Sequence, residues 1–195
     1  MSILKRTKII NEIERNNIVC VPFNPNYVKV NSIDLHLDIG IYELAPNSYS
    51  ERIGKMFVNP KEKPHLIEIP TYYDKDGHEY FYAYPDKCYL GMTIERVGST
   101  VYYPRMEGCS ANGRLFFSPH YTAGSGDVGF IGKWEVEITV NILQRVYIGQ
   151  RIAQMTFWDA SDSGCQYDGT YQGQEIVQGS NLWKKFYVHE KFKRG

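Results

Sequence analysis

No apolar run in this 195-residue chain approaches the roughly 20 residues of a membrane-spanning helix, and the start Met1-Ser-Ile-Leu-Lys-Arg lacks a signal-peptide apolar core. Excess charge is missing too. Lys plus Arg number 22 and Asp plus Glu 22, so no global field draws in nucleic acid or an anionic membrane, and neither is expected as a partner. Any anionic ligand must be held by local groups. Cysteine is sparse: Cys20, Cys88, Cys109 and Cys165 show no C-x-x-C spacing, which fits reduced thiols and a cytoplasmic setting better than a disulfide framework.

Several catalytic signatures are absent. Zinc-dependent nucleobase deaminases carry H-x-E and P-C-x-x-C, and the chain has neither. His36, His65, His78, His120 and His189 show no H-x-x-x-H spacing, so no zinc is expected. Neither G-x-x-x-x-G-K-[ST] nor G-x-S-x-G occurs. Hydrolysis by this chain therefore needs a carboxylate.

What is present reads as mainly β. Thr7 is placed to cap a short helix with Ile9, Ile10 and Ile13 on one face, ending near Asn16-Asn17. Beyond it come short β-branched and aromatic runs at 18–22, 32–44, 80–84, 89–97, 114–117, 133–142 and 151–158, separated by Asn, Pro and Gly. Many short strands joined by turns predict an all-β barrel or sandwich in one domain. Residues 46–79, broken by Pro60, Pro64, Pro70 and the turn Asp74-Lys-Asp-Gly, read as a long excursion carrying a hairpin. From about 161 to 180 the chain turns to Ser, Gly, Asp and Gln, a composition that packs no core and predicts a loop ordering on a ligand or a neighbouring subunit. Lys184, Lys185, Lys191, Lys193 and Arg194 then form a basic end, read as a solvated tail.

The chemistry concentrates in residues 122–137, Thr-Ala-Gly-Ser-Gly-Asp-Val-Gly-Phe-Ile-Gly-Lys-Trp-Glu-Val-Glu, where Glu137 follows Asp127 by ten positions. Gly124, Gly126 and Gly129 spell G-x-G-x-x-G, but a dinucleotide site needs a helix next, and alternation begins instead. Trp134, Val136, Ile138 and Val140 take one face of a half-buried strand; Lys133, Glu135, Glu137 and Thr139 take the other. On that face Glu135 reads as an ordinary solvent-facing acid. A second segment, Pro104-Arg-Met-Glu-Gly-Cys-Ser-Ala-Asn-Gly-Arg-Leu, offers a tight turn at Gly108, a hydroxyl at Ser110 and a fork of donors at Arg114, together suited to a phosphorylated ligand or an oriented water.

Seven segments in order resemble the dCTP deaminase branch of the dUTPase and dCTP deaminase superfamily: Asn31-Ser-Ile-Asp-Leu-His-Leu; Tyr89-Leu-Gly-Met-Thr-Ile-Glu; Glu107-Gly-Cys-Ser-Ala-Asn-Gly-Arg-Leu; His120-Tyr-Thr-Ala; Asp127-Val-Gly-Phe-Ile-Gly leading to Glu137; Gly149-Gln-Arg-Ile-Ala-Gln-Met-Thr-Phe; and Tyr171-Gln-Gly-Gln. The resemblance implies a distorted β-barrel assembled as a homotrimer, with sites between subunits and the C-terminal segment closing over nucleotide. It further implies zinc-free deamination of dCTP to dUTP, with Mg²⁺ accompanying the triphosphate and no metal ligand from the protein. Glu137 matches the catalytic glutamate that takes a proton from the attacking water. Ser110, Arg114 and the carbonyl of Ala123 match the groups holding that water. Gly108, Cys109, Ala111, Asp127, Tyr171 and Gln174 fall at substrate-binding positions, while His120 and Thr122 lie in a loop whose movement follows ligand state. Two departures deplete the phosphate set. Relatives usually have Gly-Arg-Ser-Ser where this chain has Gly108-Cys-Ser-Ala, and a basic residue where it has Thr170. Arg105, Lys184 and Lys185 are the candidates to compensate. The alternatives are a dUTP pyrophosphatase, a bifunctional enzyme releasing dUMP, and a nucleotide-binding regulator without turnover.

Overall fold

A computed structural model of the chain describes residues 2–160 and 164–188. Its first element is helix α1, Arg6–Glu14, which buries Ile9 and rests Ile10 and Ile13 on the core, one apolar stripe at helical spacing. Thr7 is not its cap. That position falls to Lys5, which makes no side-chain cap bond. The helix is tied down instead by buried Glu12, which takes hydrogen bonds from Asn17 (2.6 Å) and Arg15 (2.9 Å) and pairs with Lys8 (2.9 Å). Asn17 above all, then Lys8, brings the Glu12 carboxyl down to about 2.

The strands are β1 Ile18–Val21, β2 Ile33–His36, β3 Tyr42–Ala45, β4 Ser48–Ser50, β5 Lys55–Phe57, β6 His65–Glu68, β7 Tyr72–Tyr73, β8 Glu79–Ala83, β9 Tyr89–Ser99, β10 Tyr102–Gly108, β11 Phe117–Ser118, β12 Ile131–Val140, β13 Gln144–Tyr147 and β14 Arg151–Asp159, with one helical turn, α2, at Ser110–Gly113. The run expected over 32–44 is thus two strands. The strand expected over 114–117 is largely replaced by α2 and a turn in which Phe116 takes a φ of 55°. Strand β10 was not foreseen because Pro104 lies inside it; it is an edge strand, where a missing N–H costs no ladder bond.

These strands form a sheet ordered β11-β12-β9-β3-β6 with β1 also on β9, a sheet β10-β14-β2, a sheet β13-β8-β7 and the hairpin β4-β5. They pack about one apolar cluster that includes Leu35, Phe81, Val97, Val136, Ile152 and Phe157. The all-β expectation holds, but no closed barrel forms among the described residues. The ladders stay separate, and the bridge between Leu37 and Thr93 is a single pair rather than a continued strand. Residues 46–79 carry β4 to β7, and β6 joins the largest sheet through β3.

The β9–β12 ladder is irregular just ahead of the acids. Lys133 opposes Arg96 but Glu135 opposes Met92, so β9 carries the extra residues of a bulge. Thr93 satisfies the interrupted ladder: the Trp134 N–H donates to Thr93 Oγ1 (2.9 Å), which donates to the Glu95 carbonyl (2.8 Å).

Candidate active site

Strand β12 alternates as its sequence demands. Trp134, Val136, Ile138 and Val140 are buried, while Lys133, Glu135, Glu137 and Thr139 are half-buried on the opposite face. Glu137 Oε2 accepts from the Tyr121 N–H (2.9 Å), and the Glu137 N–H donates to the Pro119 carbonyl (3.0 Å), so the 119–121 loop is fastened to this one residue twice. Glu137 lines a cavity of about 530 Å³ together with Leu90, Ala123, Glu135, Tyr171 and Gln174. Asn47, Pro60 and Glu62 from the excursion, and Trp183 from the tail, complete its wall.

Glu135 corrects the sequence reading. Far from facing solvent, it receives Gln174 Nε2 (2.6 Å) and the Gln178 N–H (2.9 Å) on Oε2, and the Gly179 N–H (3.0 Å) on Oε1. Burial pushes its carboxyl above the usual range, opposed by these donors. Alternation puts it on the Glu137 face, but its donors lie about forty residues later in the chain, where no local pattern announces them.

The tail is likewise seated on its own chain. The Tyr167 N–H donates to the Val128 carbonyl (2.8 Å), the Lys133 N–H to the Gln174 carbonyl (2.9 Å), and Gln172 Nε2 to the Gly129 carbonyl (2.7 Å). Gly132 permits this approach: a Cβ there would stand 3.0 Å from Gln174 N and 3.1 Å from its carbonyl oxygen. The call for a tail from about 161 includes residues 161–163, which lie outside the described residues, as do 189–195 with His189, Lys191, Lys193 and Arg194.

The remaining candidates divide. Ala123 and Gln174 line the Glu137 cavity; Asp127 lines an adjoining one of about 230 Å³, which shares Glu135 and Tyr171 with the first. Ser110 and Arg114 line neither. Both are exposed, Ser110 opening α2 and Arg114 closing it. Ala111 is exposed beside them, Gly108 engages Gln154 Nε2 through its carbonyl (3.2 Å), and Cys109 is buried with Sγ 3.8 Å from the Ile152 carbonyl. His120 is half-buried with Nδ1 unpartnered and Nε2 3.8 Å from Glu107 Oε2; Thr122 is exposed. Of the compensating cations, Arg105 is held by Glu107 (2.6 Å), whereas Lys185 Nζ stands 3.5 Å from Thr170 Oγ1.

A family model described as dCTP deaminase-like matches residues 3–160. The chain belongs to that family. It is 33% identical over 187 residues to the dCTP deaminase, dUMP-forming, of Clostridium beijerinckii, covering 94% of this chain and 98% of the relative. The similarly described protein of Cytophaga hutchinsonii is 44% identical over 150 residues, 73% of this chain and 84% of the relative. Among solved structures, the 2'-deoxycytidine 5'-triphosphate deaminase from Agrobacterium tumefaciens shares the fold with a TM-score of 0.57 at 15% identity, over 81% of this chain and 48% of that one.

Within this dCTP deaminase-like chain the first resembling segment is structural. Asp34 is buried and pairs with Lys29 (3.2 Å) and Arg151 (3.3 Å), and His36 Nδ1 lies 2.6 Å from buried Glu95. One group of possible metal donors occurs among the described residues, Asp74, Asp76 and His78. It sits at the β7–β8 turn, where Asp74 Oδ1 already accepts the Asp76 and His78 N–H groups (2.9 Å each). No helix among the described residues is long and apolar enough to cross a membrane.

Proposed function

We propose that this protein deaminates dCTP by adding water to the cytosine ring, with Glu137 as general base. The observation that carries the reading is the placement of Glu137, with Ala123 beside it and the tail residues Tyr171 and Gln174 over it, in a cavity large enough for a nucleotide base and sugar. Water adds to C4, and Glu137 accepts its proton. Proton return to the ring and the amino nitrogen lets the C4–N4 bond break, so dCTP and water become dUTP and ammonia. A base so placed supplies about 10²–10⁴-fold.

The site is proposed to be shared between copies in a homotrimer. Ser110 and Arg114 stand away from Glu137 in one chain, next to Leu115 and Phe116, which are more than half exposed, as are Ile142 and Leu143. Covering such apolar side chains favours association. Ser110 and Arg114 of one copy would then hold the water at Glu137 of another.

Lys185, adjacent to Thr170, is the proposed compensation for the missing basic residue. Magnesium is expected to arrive on the triphosphate, whose charge it neutralises. The cavity's three acids are each engaged by N–H donors, Glu137 by Tyr121, Glu135 by the tail and Glu62 by Asn59 Nδ2 (2.8 Å), and form no converging ligand set among the described residues, which fits a metal held by phosphate oxygens. The cytoplasm is the proposed compartment, in keeping with four cysteines free of disulfides.

The two relatives, both described as dUMP-forming, favour a second reading, in which the same site also removes pyrophosphate and releases dUMP. Incubation with dCTP, dCMP, dUTP and 5-substituted dCTP, assayed for ammonia and pyrophosphate, separates these. Ammonia alone supports deamination to dUTP, ammonia with pyrophosphate supports the dUMP-forming reading, and pyrophosphate from dUTP without ammonia from any cytosine nucleotide defeats both.

A further inference from the structure

Glu135 is an acid of the cavity to which the proposed deamination assigns no role. It stands on the same face of β12 as Glu137, yet all its donors belong to residues 174–179 of the tail: Gln174 Nε2, the Gln178 N–H and the Gly179 N–H, at 2.6, 2.9 and 3.0 Å. Both carboxylate oxygens are thereby used, which suits an anchor and leaves little capacity for a second ligand. The partners of Gln174 fix its amide as well. Its nitrogen donates to the Glu135 carboxylate and to the Ile176 carbonyl (3.1 Å), both pure acceptors, so the amide cannot be turned over without breaking two bonds. Its Oε1 accepts no hydrogen bond within the described residues, although Gln174 lines the cavity that Glu137 lines.

We propose that Glu135 is a positioning residue: it latches residues 174–179 over the cavity and sets the Gln174 amide so that Oε1 is presented to an N–H or O–H donor of the bound nucleotide. A plain structural tie would hold the tail without affecting ligand handling. The latch stands on hydrogen-bond geometry alone, whereas its use in ligand handling rests on the deaminase reading above.

The test compares the parent with Glu135→Gln, and with Glu135→Ala in case the new amide finds substitute partners. Hydrogen exchange at the Gln178 and Gly179 amides is measured first on the ligand-free protein. Exchange should quicken by roughly tenfold to hundredfold, the range for losing a hydrogen bond to a charged group, while amides of the β9–β12 ladder keep their protection. KM for dCTP should then rise by a similar factor, with kcat falling less. Unchanged exchange at both amides in the alanine variant overturns the latch. Faster exchange with unchanged KM reduces Glu135 to a structural tie and overturns its positioning role. If the parent turns over no cytosine nucleotide, the deaminase reading fails separately, and the exchange result together with the Kd for dCTP decides the role of Glu135 by the same criteria.

Discussion

The acid face of β12 and the turn at α2 carry the two halves of the expected catalytic set, and a single chain finishes only one of them. Around Glu137 every element is engaged: the 119–121 loop is bonded to it, Glu135 holds the tail, and the tail walls the cavity. Around Ser110 and Arg114 nothing comparable occurs; both side chains are exposed beside exposed apolar neighbours. One chain thus builds a pocket with an acid, and under the shared-site proposal the groups that orient the water come from a second chain. Variants at Glu137, Arg114 and Cys109 probe that division, and one at Glu12 serves as a control.

The largest effect is expected from Glu137→Gln, which keeps the shape of the side chain and removes its ability to take a proton. Deamination should fall by at least about 10²-fold with the fold and assembly unchanged by circular dichroism and light scattering. Activity within a few-fold of the parent removes Glu137 from the mechanism.

Arg114→Ala and Arg114→Lys should fall nearly as far as each other, because a point charge on a flexible stem does not replace a planar fork. The sharper experiment mixes Glu137→Gln subunits with Arg114→Ala subunits after joint refolding. Sites formed between copies should restore about a quarter of parental activity by random assortment in a trimer. Sites built within one chain restore none.

Cys109→Arg introduces the residue that the family resemblance leads one to expect at this turn. Cys109 is buried under the 151–153 segment of β14, so a guanidinium there has no room unless α2 shifts. Thermal unfolding should show a loss of about 1–3 kcal/mol, in the overpacking range, and dCTP affinity should not improve. Tighter dCTP binding with full stability would mean that the turn opens outward and that position 109 can serve the phosphates.

The smallest effect lies far from both regions and serves as a control. Glu12 is held at about 2, below its ordinary 4.5, by Asn17 and Lys8. A depressed folded-state value means its contribution is complete above about 4.5 and fades as pH falls toward 2. Glu12→Gln should therefore cost about 1–3 kcal/mol at pH 7, less at pH 3, and leave KM for dCTP unchanged at neutral pH. A shift in KM would show that α1 communicates with the cavity.

The sequence made the polar face of β12 legible because alternation is local, and Glu137 and the burial of Trp134, Val136, Ile138 and Val140 followed from it. The burial of Glu135 was hidden: its donors arrive from residues about forty positions later, and no periodicity records such a meeting. The β9 bulge was hidden for the same reason, since it depends on the Thr93 hydroxyl reaching Trp134 across the sheet. At α2, the aromatic content of 114–117 suggested a strand, but the turn that gives Phe116 its left-handed backbone overrode propensity. The excursion at 46–79 was visible as a composition change, while its service as a wall of the cavity required the fold.

The seating of the tail along Gly132 and Lys133 has a consequence for solubility. Opposite β9, this stretch of β12 is a free sheet edge, and the Lys133 N–H finds its acceptor only in Gln174. An uncovered edge of this kind invites strand addition by another molecule. The segment that closes the site therefore also guards the sheet, and a chain cut before Tyr167 would be open to aggregation as well as to solvent.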